Sequence, residues 1–548
     1  MRRIFLIMPA AAILLFCCFV FSDTGFAYDG GNPGKPVTFS KDIAPIFYKN
    51  CVDCHRPGEL APMSLLSYKD ARPWARSIRE KVIAREMPPW SADPHFGDFS
   101  NDRRLSPKDV DTIAAWVDQG AREGNPADLP SRPDFSNDWK NGKPDIVLTM
   151  AEEYAIAPEG SDEYINFTLP TNFTEDKWVN AIEVHPGNKK VVHHVVAFIQ
   201  SPQLMARNKS GIRGGFVGQS IFFTDGTLKR VKADAPVFDN GCTAPNGGFA
   251  RGSGEEGLGL LLGFYAPGKD VDAWPAGTAK LIPAGSSIII QVHYSKTTGK
   301  PEKDRSSVGL YYADGPPEKS LMSFGALNHY FMIPPGDSNH EVSACYTFSR
   351  DVQLLTFMPH MHLRGKDMRY EAVYPDGRRE TLLFVPRYNF NWQSMYKLRT
   401  PLEIPKGTKL VVTAHFDNSE RNKYNPDPSK TVRFGDPTYD EMIVGYFDFV
   451  SKNSRPVSSK IDAAAYDSYA GQYQVAGVPL MVTRQGNKLF MTSMGQPNLE
   501  LSPESEKTFL VKEFDGLITF VKNEKGQVVE LVLETNGRTV HAKKAAIN

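Results

Sequence analysis

Chemistry is concentrated first in Thr356–Lys366, TFMPHMHLRGK, where His360 and His362 follow the apolar run Val352, Leu354, Leu355 and Phe357. In an extended strand, residues i and i+2 share a face, so both imidazoles can meet one metal ion without distorting the backbone. His-x-His is therefore half of a copper or zinc site, with two ordinary histidines as the plain alternative. A second motif is Cys51-Val52-Asp53-Cys54-His55. Two thiols and a following imidazole at this spacing are the signature of c-type haem attachment: the thiols add to the vinyl groups and His55 supplies an axial nitrogen. A redox dithiol is the competing use of the two cysteines. For the opposite side of the iron the candidate is Met87, in Arg85-Glu86-Met87-Pro88-Pro89-Trp90, with His95 and Met63 as alternatives and gap-filling as the bland role.

An internal repeat adds further histidines. Leu281–Ser295, LIPAGSSIIIQVHYS, and Glu403–Asn418, EIPKGTKLVVTAHFDN, both read Ile-Pro-x-Gly, a strand, then a histidine and an aromatic, which makes His293 and His415 equivalent. Upstream of each lies a histidine pair: His193-His194 in VVHHVVAFI, and His360-x-His362. Adjacent strand residues face opposite sides, so His193 and His194 reach one ion together only at a strand end or a bulge. By the repeat, His193, His194 and His293 form one candidate group. The other is His360 and His362 with either His415 or Met442, the latter in Thr438-Tyr439-Asp440-Glu441-Met442. A thioether beside two imidazoles favours copper, Cu(I) in particular, over zinc.

The elements that must position these groups are legible from pattern. The 548 residues are too many for one core and suggest three or four domains. Residues 1–27 read as a secretory signal peptide, with Arg2 and Arg3, an apolar run from Ile4 to Phe21, and a Gly25-Phe26-Ala27 cleavage site; a retained anchor is the rival. Export makes the location periplasmic or secreted, with no membrane span once the signal is removed. Residues 36–125 read as a small all-α cytochrome c domain. It has an amphipathic segment ending at Asn50, a helix over Tyr68–Arg85 stopped by Pro88 and Pro89, and a helix over Ser106–Gly120 with Ser106 as N-cap and Pro107 at N1. After an Asn/Pro/Asp/Ser linker at Gly124–Pro144, helical periodicity gives way to alternating runs and turns, read as two all-β sandwich domains over 146–318 and 319–451. Residues 463–546 read as a small β domain. Lys plus Arg (63) balance Asp plus Glu (63), so no field points to nucleic acid or an anionic membrane. Cys242 and Cys345 are left as one disulfide pairing between different domains.

HHVVAF, QVHY, PHMHLRGK and YDEM occur in the order and rough spacing found in the copper type II, ascorbate-dependent monooxygenases, the peptidylglycine α-hydroxylating and dopamine β-monooxygenase group, which residues 146–451 resemble. The resemblance implies two jelly-roll-like domains and two coppers. His193, His194 and His293 match the electron-relay copper, and His360, His362 and Met442 match the copper where dioxygen binds and substrate hydrogen is abstracted. His415 would then stand behind the ligands. Where peptidylglycine enzymes hold a carboxylate with Arg, Asn and Tyr, this chain has Met358, Val444 and Tyr446. Only Tyr446 is kept, so a peptide carboxylate is not the expected substrate. The dense disulfides of animal members are missing. The region from Tyr469 onward resembles a small β-barrel appended to bacterial secreted hydrolases. The implied activity is hydroxylation of a C–H bond of an organic substrate with dioxygen, electrons coming from an ascorbate-like donor or redox protein, or passing from haem c to the first copper and on to the second. A non-catalytic electron-transfer or copper-handling protein needs the same ligands and is the competing reading.

Overall fold

The computed structural model describes residues 36–59, 61–135, 139–160, 162–202, 205, 222–224, 229–231, 235–243, 260–267, 269, 271–296, 298–452, 463–475, 478–493, 498–511, 516–535 and 537–545. The signal-peptide reading of 1–27 lies outside them. No helix among the described residues is long and apolar enough to cross a membrane. The chain is mostly β, with few helices.

The N-terminal region has the expected helices. Tyr68–Ala71, a 3-10 turn Arg72–Trp74 around Pro73, and Ala75–Ile83 make a nearly continuous rod. Pro107–Asp118 is capped by the Ser106 hydroxyl, which accepts from the Asp109 N–H, and buries Val110, Ile113 and Trp116. These helices, with Phe39–Asn50, enclose a core containing Phe39, Phe47, Leu65 and Trp116. A free-standing all-α unit over 36–125 is nevertheless not what the chain builds. Residues 90–100 leave that core: Trp90 and Phe99 pack on Tyr396, with ring centroids 4.9 and 5.4 Å away. The Asp93 N–H donates to the Phe384 carbonyl and the Arg399 N–H to the Asp98 carbonyl. Strand-edge bonding and aromatic burial together fasten the helical region to the second sandwich.

Each expected sandwich has its own four-stranded sheet and its own core. In the first, Ser287–Tyr294 lies between Glu163–Pro170 and Val192–Gln200, with Leu260–Tyr265 outside. In the second, Lys409–Phe416 lies between His340–Thr347 and Gly365–Val373, with Arg379–Val385 outside. The repeat thus maps onto two equivalent inner strands. The facing sheets, however, are one: a nine-stranded sheet runs through both halves, joined where Thr278–Ile282 pairs in parallel with Lys319–Leu327 over two residue pairs. The expectation of two sandwiches without a large common sheet is corrected to two cores under a shared sheet with a thin joint.

Residues 235–243, which precede residue 318 in sequence, pack with the second half. Gly241 donates to the Ser343 carbonyl, Ser343 to the Asp239 carbonyl, and Ala235 joins the second core. Cys242 and Cys345 are bridged there, Cα to Cα 5.1 Å, across 103 residues of sequence. Past residue 462, the helix Ala463–Tyr469 leads into a closed barrel of eight strands between Gly471 and Lys544.

Candidate metal centres

The outer face of the first four-stranded sheet, carrying Phe198, Leu261 and Ile289, packs against Tyr446 of the second half, and Phe264, Ala266 and Met358 continue the contact. Both histidine groups open on this seam. At its first end, His293 pairs with His194 and Tyr294 with Val192, so His193 has no residue opposite it. This bulge is the device that adjacency required: it turns His193 to the face that His194 already occupies. The ligand atoms of His193, His194 and His293 lie within 4.8 Å of one another.

Hydrogen-bond partners fix which nitrogens face inward. His293 donates through Nε2 to Asp162 Oδ2 at 2.8 Å, and His193 through Nε2 to Asn391 Oδ1 at 3.2 Å. Each therefore keeps its proton on Nε2 and turns an Nδ1 lone pair inward. Those Nδ1 atoms stand 3.2 and 3.3 Å from His194 Nδ1. A proton on His194 Nδ1 or a cation can join the three nitrogens, and the donor set fits a metal ion. Burial, reinforced by neighbouring histidines, pushes the His193 pKa down to about 4 and that of His194 well below its usual value. Both are neutral at pH 7, as ligands must be.

The second group uses the opposite nitrogens. His360 ends the strand Val352–His360 and donates from Nδ1 to Gln393 Oε1 at 2.8 Å. His362, just beyond the strand, donates from Nδ1 to the Asp440 carbonyl at 3.2 Å. Both Nε2 lone pairs are left, on rings 5.4 Å apart and perpendicular. Burial pushes His360 to about 4 and His362 well below its normal range.

Glu441 ties this segment to Met442. Its buried carboxylate accepts from the N–H groups of His362 (2.8 Å), Arg364 (2.6 Å) and Met442 (3.2 Å). Burial lifts its pKa to about 7 against those bonds and the Arg364 charge. Arg364, itself fully buried, reaches the Tyr439 carbonyl and Asn418. Gly365 is required by close approach: a Cβ there would lie 2.7 Å from Met361 Cβ and 2.9 Å from the Tyr388 ring. Within HMHLRGK, His360 and His362 thus offer Nε2 lone pairs, Met361 packs between them, Arg364 clamps the segment and Gly365 allows the close approach.

His415 is not part of this group. Its ring nitrogens face Asp367 (2.8 Å) and Glu341 (3.4 Å), so carboxylates occupy the atoms a metal would need. Tyr446 lies with its ring 6.2 Å from that of His360, in the apolar seam with Met358.

At the third motif, the Cys54 and His55 N–H groups both bond the Cys51 carbonyl, placing all three side chains on one helical turn. The thiols are unbridged. Burial and the nearby Cys54 push the Cys51 thiol up to about 12, the reverse of what a reactive dithiol needs. His55 bonds the Met63 carbonyl through Nδ1 at 3.2 Å, leaving Nε2 for another partner and Met63 in a supporting role. Met87 is half-buried beyond the helix, and no hydrogen bond joins it to His55 among the described residues. Cys54 borders a narrow cleft at the junction of all three regions, walled also by Trp90, Arg103, Lys269, Trp392 and Gln393. The buried Trp90 Nε1 has no hydrogen-bond partner there. Two unbridged thiols and an unused His55 Nε2 on one turn are the donor set that a covalently held haem requires.

Sequence reasoning missed Asp162, Asn391, Gln393 and the role of Glu441. Only Glu441 carried a signal, as a carboxylate beside a candidate ligand. The others lie 131, 198 and 33 residues from the histidines they hold.

Comparison with known proteins was made on this geometry. Residues 319–468 match the family model "Copper type II ascorbate-dependent monooxygenase, C-terminal domain", and residues 455–544 match a domain of unknown function. The human "Putative DBH-like monooxygenase protein 2" is 23% identical over 181 residues, 30% of this chain. The chain spans about a third (35%) of the length of that relative. Among solved structures, SurE with D-Leu (19% identical, covering 26% of this chain and 32% of that one) and infectious bursal disease virus Gt strain (8%, covering 59% and 82%) both give a TM-score of 0.15, at which no common fold is implied. The two sequence matches agree in pointing to the copper type II monooxygenases, and so to a copper-dependent oxidoreductase.

Proposed function

We propose that this chain is an exported monooxygenase carrying two coppers and one haem c, which hydroxylates a C–H bond of an organic substrate with dioxygen. The observation that carries the reading is the pair of histidine groups, one with three inward Nδ1 atoms and one with two free Nε2 atoms beside the Met442 segment, facing one apolar seam. His193, His194 and His293 would hold the electron-relay copper; His360, His362 and Met442 would hold the copper at which oxygen and substrate meet. When bound, copper supplies one-electron redox chemistry and a place for dioxygen.

The chain's own residues do the rest. Asp162 and Asn391 keep His293 and His193 in the ligand tautomer, and Gln393 and the Asp440 carbonyl do so for His360 and His362. Met358 and Tyr446 give the seam beside His360 an apolar wall, suited to a hydrocarbon part of the substrate rather than a carboxylate. Cys51, Cys54 and His55 would hold the haem, with Met87 as the second axial candidate. Covalent attachment would keep an electron donor at roughly millimolar effective concentration, supplementing or replacing an ascorbate-like reductant.

Metal and haem analysis of the exported protein, with electron paramagnetic resonance of its oxidised form, should give two type II coppers and one haem per chain, with one copper signal altered in Met442→Ala. One copper, or zinc, would move the reading to a cytochrome joined to a β scaffold that only carries electrons. Stopped-flow mixing of ferrous haem with cupric protein tests the relay: no haem oxidation on the turnover timescale would remove the haem as donor.

A further inference from the structure

One short segment touches both histidine groups. Phe390 stacks on His193, with centroids 5.2 Å apart and planes 15° apart, and lies 6.2 Å from His194 and 6.1 Å from His293. On its other side the same ring meets His362 edge-on at 6.1 Å. Its neighbours hold further parts of both groups: Asn391 accepts from His193, and Gln393 from His360. Tyr388 grips the residue between His360 and His362, accepting from the Met361 N–H at 3.1 Å and donating to the Met361 carbonyl at 2.7 Å. The segment belongs to the second half by sequence, yet it supplies a hydrogen-bond acceptor and a stacked ring to the first.

From this we infer that residues 388–393 are a shared positioning element that sets the spacing and orientation of the two metal centres as one unit, with Phe390 as the wall between them. The sheet joint near residue 318 consists of two residue pairs and cannot by itself fix one histidine group against the other. A ring in van der Waals contact with both groups can, because moving either group requires it to leave its place. The inference rests on the copper reading only in calling the groups metal centres. No atom of Phe390 coordinates or reacts; it acts through the histidines it packs against.

Two measurements test it. With copper loaded, Phe390→Ala should keep two coppers but change the cupric resonances of both centres together, and Phe390→Leu should retain most of the unsubstituted spectrum. A change confined to one centre, or no change, would overturn the proposal. In metal-free protein, amide hydrogen exchange at 193–195 and at 361–363 should rise together in Phe390→Ala, by about tenfold or more. A rise at one segment only, or at neither, would also overturn it. Failure to bind two coppers would instead count against the proposed function, and the exchange result would still decide this inference.

Discussion

His293 and His415 occupy the same place in two copies of one design and have opposite chemical fates. Both sit near the end of the inner strand of a four-stranded sheet, and in both the strand alongside carries an irregularity at that point, at His193 in one and between Gly365 and Asp367 in the other. The residue across from His293 is His194, and the residue across from His415 is Asp367. His293 lies under the second half with its side chain 1% exposed, whereas that of His415 is 26% exposed. His293 gives one nitrogen to Asp162 and keeps the other facing His194, whereas both nitrogens of His415 face carboxylates, so only His293 has a nitrogen left for a metal. The backbone of the repeat therefore supplies a position, and the cross-strand neighbour and the cover decide its chemistry. In the second half the proposed metal ligands are instead His360 and His362, at the end of a different strand, in the shared sheet.

The sharpest way to break this comparison is to remove each histidine in turn. His293→Ala should abolish one of two coppers, while His415→Ala should leave both; metal analysis of the purified variants reads this directly. If His415→Ala also lost a copper, the distinction drawn between the two repeats would be wrong. Next in size is Glu441→Ala, which frees three N–H groups in the His362–Met442 clamp. Copper affinity at the second centre should fall by about 10–100-fold, measured by competition with a chelator, with the first centre unchanged. Asp162→Asn keeps the size but weakens the bond that orients His293, so about a tenfold loss confined to the first centre is expected.

A pH titration sharpens the contrast with less effect at neutrality. His193 and His360 are held at about 4, below the unfolded value of 6.5. Between those values the unfolded chain binds protons that the folded chain refuses, so metal-free stability should fall as pH drops from about 6.5 towards 4. Copper should be released over the same window, because protons compete for the same lone pairs. Denaturant midpoints that stay flat across it would contradict the neutral, buried state of these rings. Smallest of all, His415→Ala should change stability by no more than about 1 kcal/mol, as expected for a partly exposed polar pair.

Much of the site was legible because its signals are local. His-x-His needs only strand periodicity, the Ile-Pro-x-Gly repeat aligns His293 with His415, and adjacency of His193 and His194 demands a bulge or strand end, which Val192–Gln200 supplies at its start. Ser106 capping and the Cys51–His55 turn are equally short-range. Missed features all depend on residues far apart. Nothing in RYNFNWQ announces that Phe390 will stack on His193, or that Asn391 will choose its tautomer. Residues 90–100 and 235–243 looked like parts of the units they follow in sequence, but their hydrogen bonds go to strand edges of the second sandwich.

What the sequence by itself determined is the set of donors and the periodicity that presents them: histidines, a thioether and a Cys-x-x-Cys-His turn on strands and helices whose patterns are set by side-chain period. What only the tertiary structure decided is which nitrogen of each histidine faces inward, that His415 is paired rather than ligating, and that both histidine groups share one wall. These depend on hydrogen-bond acceptors and cover brought from distant strands, and a local pattern carries no information about which distant surface will fold against it.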